Sequence, residues 1–449
     1  MRKLSLVLFL VACGDDGVRH TPDAARVDGA PDSPVDAATL PVTLTATYNG
    51  QPVAGVHVYF QNADSSVVLA TTTDASGTAS AVMYAGGYVT AINPYGAQGQ
   101  DDLETFAGVK PGDHLLLRRA LVPDTAITVN VSAPDEGVPG YSVYSPCNNA
   151  GATLAPPAVL LATAVPVSGQ ISLSNCGSAT DFLVVASDGT PTDYLYAANV
   201  AVADQGSADL TAGTYAPLTT RTLTYTNLPS AQSLSIENDV LDPLGLIYIA
   251  GTETPVDQPN ATVAIPEFPG ESDLLQTTFN NQTYSQQVLF DWGHLGAAFS
   301  TDVGARALQN FTGSPTFDAA THAGSIPLDT AAGGAADFSL FFMTVSRTSA
   351  QRTWSWTIAA PYAATVTLPT LPTDVFDYNV GSADSAGVNG WVNGKVPGGY
   401  DAVRALLLAT SGPEGLAIGS AGAATFVHSQ QPTFVRPTSL PRVLRHRTR

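Results

Sequence analysis

Residues 42–60 read VTLTATYNGQPVAGVHVYF. Two runs rich in β-branched and aromatic residues flank Asn49-Gly50-Gln51-Pro52, a strong turn signal. In an extended chain successive side chains alternate, so Val56, Val58 and Phe60 share one face. The same grammar continues. VVLATTTDASGTASAVMY (67–84) predicts two strands around a turn at Asp74-Ala75-Ser76-Gly77. GGYVTAI (86–92) predicts another, and FAGVKPGDHLLLR (106–118) a turn followed by an apolar run. Short strands closed by Gly, Pro, Asn and Asp predict an all-β chain of consecutive sandwiches.

Pro52, Gly55, Val56, Val58, Thr73-Asp74, Gly77 and Gly87-Tyr88 carry a resemblance. Over residues 41–120 the chain resembles the carboxypeptidase-regulatory-like, or transthyretin-like, modules of bacterial surface proteins. Bacterial immunoglobulin-like modules of the invasin type share much of that pattern. The resemblance implies a small non-catalytic β-sandwich.

A second module is expected over residues 121–220. ITVNVSAPDEGVPGYSVYSPC (127–147) echoes the first, with Gly137, Pro139, Gly140, Val143 and Tyr144 in the places of Gly50, Pro52, Gly55, Val58 and Tyr59. The spacer between Pro and Gly differs by two residues, so the repeat is weak. From Arg221 the pattern restarts and predicts one or two further β modules over 221–432. Within it GYDAVRALLLAT (399–410) suits a short helix or a last strand, and AIGSAGAATFVHSQ (417–430) a terminal strand. Residues 433–449 hold five arginines and two prolines without amphipathic pattern, which reads as a basic tail.

The N-terminus has a different character. Arg2 and Lys3 precede Leu4–Val11, apolar except for Ser5. Eight helical residues span about 12 Å, against roughly 30 Å of bilayer core, so a signal peptide fits and a spanning helix does not. Leu10-Val11-Ala12-Cys13 resembles the lipobox of bacterial lipoproteins. That resemblance implies cleavage after residue 12, a diacylglyceryl group on the Cys13 thiol and acylation of the new amino group. Two or more chains make a stable anchor, where a single one is marginal. Gly14 follows the cysteine, and by analogy with the enteric retention rule this favours the outer membrane. The next stretch, to residue 40, is rich in Asp and Pro and lacks aromatics, as expected of a solvated tether.

The full chain carries 18 Lys and Arg against 38 Asp and Glu, a net charge of −20. Removing Arg2 and Lys3 with the signal peptide leaves −22. Such a surface repels phosphate backbones and argues against nucleic acid as a partner. It would attract calcium, although no calcium-loop motif is present. With Cys13 lipidated, Cys147 and Cys176 remain. An even pair in an exported protein reads as a disulfide, which would stabilise the second module by about 3 kcal/mol. Two buried thiols or half of a metal site are the competing readings, and zinc is disfavoured because neither cysteine has a CxxC partner or a nearby His.

No nucleophile elbow, zinc-protease helix, phosphate loop or dinucleotide fingerprint occurs. Two stretches could carry a site. FDWGHLGAAFSTD (290–302) sets Asp291 three residues from His294, a candidate acid/base pair, with Trp292 and Asp302 alongside. Against this, such a segment commonly ends a strand with a core Trp. RTWSWTIAAPY (352–362) puts Trp354 and Trp356 on one strand face, where two indoles could stack on sugar rings or form an aromatic core. The expectation is a non-catalytic, lipid-anchored cell-envelope protein with a structural or adhesive role, without cofactor, and with an unidentified protein or polysaccharide partner. The alternatives are a carbohydrate-binding protein using Trp354 and Trp356, and a hydrolase with its site in the C-terminal region.

Overall fold

The computed structural model describes residues 40–48, 51–93, 101–119, 127–146, 148–154, 166–173, 178–229, 234–242, 245–254, 259–268, 272–280, 283–406 and 422–429. Strands dominate it. Three consecutive segments repeat one seven-strand arrangement of two facing sheets.

In the first segment Pro41–Tyr48 pairs antiparallel with Thr78–Val82 and parallel with His114–Arg119. The facing sheet runs Val67–Thr72, His57–Gln61, Gly87–Asn93, Asp101–Val109. In the second, Ile127–Ala133 lies between Val167–Leu173, antiparallel, and Gly206–Asp209, parallel. It faces Asn148–Leu154, Gly140–Ser145, Ala179–Ser187 and Pro191–Ala201. In the third, Thr219–Thr226 lies between Ala261–Glu267 and, parallel, Ala298–Asp302. It faces Gly245–Thr254, Leu234–Asp242, Ser272–Asn280 and Ser285–Gly293. Connectivity and strand direction are the same in all three copies.

Period-two patterning explains why each copy closes on its own core. Val42, Leu44 and Ala46 point inward with Val56, Val58 and Phe60 in the first. Val129, Val131, Ala133 and Val143 do so in the second, and Leu223, Tyr225, Leu234 and Ile236 in the third. Val58 and Val143, matched by the sequence echo, occupy corresponding strands and are both fully buried. The turn expected at Asp74–Gly77 is present. Gly77 has φ +73°, and a Cβ there would lie 2.4 Å from the Ala46 carbonyl oxygen, so only glycine fits without a shift.

The C-terminal part adds four strands in the spatial order Gly422–Ser429, Ser385–Lys395, Phe338–Arg347, Arg352–Pro361. Gly422–Ser429 pairs antiparallel with Ser285–Gly293 of the third sandwich. Arg352–Pro361 pairs in parallel with Asp101–Val109 of the first. The result is one continuous twelve-stranded sheet. The boundary expected at residue 120 separates the first module from the C-terminal region. In the structure, backbone hydrogen bonds run across that separation.

Both faces of the added strands are buried. On one, Phe341, Met343, Trp354, Trp356 and Trp391 pack with Tyr59, Ile92 and Leu103 of the first sandwich, under a cover containing Phe311, Ile326, Leu371 and Tyr378. On the other, Phe338, Leu340, Phe342 and Phe426 pack with Trp292, Tyr400 and Val403. Tyr400 and Val403 belong to the helix Gly399–Leu406, so the described part of that stretch is helical, and residues 407–410 lie outside the described residues.

Candidate interaction surface

Trp354 and Trp356 share a face, as their spacing requires, and that face is the interior: they are 0% and 1% exposed. Trp356 Nε1 donates to Thr105 Oγ1 at 2.9 Å, and Trp354 meets Phe376 and Tyr378 edge-to-face. Neither indole offers a plane to a sugar. The exposed stacking platform that the sequence allows is not what the structure holds, because the strand carrying them lies mid-sheet beneath a covering layer.

In the 290–302 stretch, Trp292 is core and Asp302 caps the short helix Val303–Arg306. Asp291 is buried and holds Arg306, with Nη1 to Oδ1 at 2.6 Å. Burial raises its carboxyl above the usual range, and the Arg306 charge pulls the other way. His294 is exposed beyond the strand end. Asp291 thus serves a contact between the third sandwich and the C-terminal strands, since Arg306 also donates to the carbonyls of Phe290 and Ala424. Cys13, Cys147, Cys176, the tether before residue 40 and the tail after 432 lie outside the described residues. Among the described residues no cluster of His, Cys, Asp and Glu could hold a metal ion, and no helix is long and apolar enough to cross a membrane.

Five arginines, Arg221, Arg306, Arg347, Arg352 and Arg404, are committed to joints. Arg221 is buried between Asp273 (2.7 Å) and Glu267 (3.1 Å). Arg404 of the helix reaches the Gly108 carbonyl and Asp113 of the first sandwich. Arg347 grips Asp384 with two nitrogens and packs over Trp354 and Phe376. Arg352 lies 4.4 Å above the Phe376 ring and pairs with Asp101. Tyr59 donates to Asp374 at 2.5 Å, and Gln61 donates to the Thr370 carbonyl. This polar and aromatic clasp fastens the first sandwich to residues 370–384.

The first sandwich has one strand of a different kind. Val67–Thr72 ends the twelve-stranded sheet, and no described strand pairs with its outer edge. This strand is exposed at every position but Thr71, which is half-buried, whereas Asp101–Val109 of the same sheet is buried along most of its length. Val67, Val68 and Leu69 are 48%, 40% and 38% exposed, and Val82 and Tyr84 stand exposed on the neighbouring segment. These five make up most of the eight large exposed hydrophobic side chains among the described residues. Residues 65–73 (SSVVLATTT) carry no charge. Unpaired backbone donors and acceptors beside aliphatic side chains form a template for strand addition. Asp64 and Asp74 frame the edge. Each carboxylate accepts from the serine two residues on, which holds it below the usual range and therefore charged. Sequence reading missed this edge because VVLATT has the composition of a buried strand. The far end of the same sheet, Gly245–Thr254, lies against Gly140–Ser145 and Asn148–Leu154 of the second sandwich.

No protein-family model matches the chain, and no curated protein matches it. Among solved structures it is similar to one titled "The Bacillus anthracis TIE protein", at 12% identity and a TM-score of 0.15. The match covers 59% of this chain and spans half of that one, an overlap too slight to carry any argument.

Proposed function

We propose that this chain is a lipid-anchored protein of the bacterial cell envelope whose β-sandwiches serve structure and interaction rather than catalysis. The observation that carries the reading is the triplicated sandwich together with a twelve-stranded sheet that ends in an uncharged, aliphatic strand whose outer edge no described strand pairs. The sequence before residue 41 supplies the attachment. Its lipobox resemblance implies a diacylglyceryl anchor on Cys13, and the acidic stretch after it acts as a spacer in front of the first sandwich. The outer membrane is the favoured location. The ion pairs support an architectural role, since Arg221, Arg306, Arg347 and Arg404 each join one strand or layer to another. The partner on this reading is a protein surface that can add to a β edge; a cofactor is not required.

Cys13→Ser tests the anchor. The wild type is expected in the membrane fraction and soluble only with detergent, whereas the variant is expected free of detergent. Membrane retention unchanged by the substitution contradicts the anchor.

A further inference from the structure

We infer that the Val67–Thr72 edge is a self-association site, at which two copies of this chain pair antiparallel about a two-fold axis and join their twelve-stranded sheets. The inference rests on the interaction reading above and names its partner.

Four observations favour a second copy. Sheet-edge pairing already builds this molecule. Asp101–Val109 and Ser285–Gly293, corresponding last strands of the first and third sandwiches' larger sheets, are both extended by C-terminal strands. The sheet's far end abuts the second sandwich, which leaves Val67–Thr72 as its open end among the described strands. Two-fold antiparallel pairing needs a strand complementary to itself, and SSVVLATTT qualifies: aliphatic and threonine side chains oppose one another and no like charges meet along it. Finally, the chain carries a net charge of −20, so copies repel over most of their surface. An uncharged aliphatic strip is where that repulsion is least and where burial gains most.

The framing aspartates set a signature. Pairing centred near Leu69 and Ala70 brings Asp64 of one copy toward Asp74 of the other, at the strand ends. These exposed carboxylates oppose the contact and are screened by salt. Association should therefore tighten as ionic strength rises, and tighten at low salt in Asp64→Asn. An interface of one strand pair is small, and attachment of both copies to one membrane raises their effective concentration.

Sedimentation velocity of the full chain in density-matched detergent provides the test. The wild type should show twice the protein mass at micromolar concentration. Val68→Lys and Ala70→Pro, which place a charge and remove a donor at the edge, should each return it to the monomer while keeping the wild-type melting temperature. Hydrogen exchange of the wild type requires no variant: the amides of residues 67–72 should slow as concentration rises. A wild type that stays monomeric, variants that stay dimeric, or exchange at 67–72 that ignores concentration would each overturn the inference. A lipidated monomer fails this inference alone, and an unlipidated dimer fails the anchor alone.

Discussion

Arg352 and Asp101, 251 residues apart in the chain, are joined by a hydrogen bond of 2.5 Å from Nε to Oδ2. They sit at the one parallel junction of the twelve-stranded sheet, where the first sandwich meets the C-terminal strands. Asp101 is 5% exposed at its side chain and also accepts from the Tyr378 hydroxyl at 3.0 Å. Asp101→Ala leaves both donors without this acceptor. We expect a loss of about 2 kcal/mol, read as a lower urea midpoint.

Trp356→Ala tests core against platform. Removing a fully buried indole that also hydrogen-bonds Thr105 should cost about 3–5 kcal/mol. Chemical denaturation measures it. A variant with an unchanged midpoint and altered polysaccharide binding would revive the platform.

Asp384 gives the fold an acid-sensitive contact. The Arg347 hydrogen bonds hold its carboxyl below the usual range. A depressed folded pKa means stabilisation that is complete above the unfolded value, about 3.9, and lost as pH falls through the folded one. The stability gap between wild type and Asp384→Asn should be widest near neutrality and narrow below about pH 4. Melting temperatures across pH 3–7 show whether it does.

Gly77→Ala places a methyl against the Ala46 carbonyl at a positive φ. A loss of about 1–2 kcal/mol is expected, with the fold retained by circular dichroism.

These contacts also show what the sequence could reveal. The turn at Asp74–Gly77 and the shared faces of Val56/Val58/Phe60 and Trp354/Trp356 were legible, because turn chemistry and alternation are local. The direction in which the Trp face points was not, since burial depends on a layer contributed by residues 308–328 and 366–380. The third sandwich escaped recognition as a repeat. Its first strand carries buried Arg221 and Tyr225 among its inward positions, where the earlier copies use aliphatic residues. The parallel junction had no signal either, because it is formed by strands with no turn between them. The open edge was hidden for the opposite reason: Val67, Val68 and Leu69 look like core, and only the structure leaves them uncovered.

The envelope attachment proposed for this chain depends on where its mature form begins. Mass spectrometry of the N-terminal peptide, from protein purified out of the envelope fraction, tests that directly. The account predicts a chain starting at Cys13 and bearing a diacylglyceryl group with an acylated amino terminus. A mature chain starting elsewhere, or an unmodified Cys13, would contradict it.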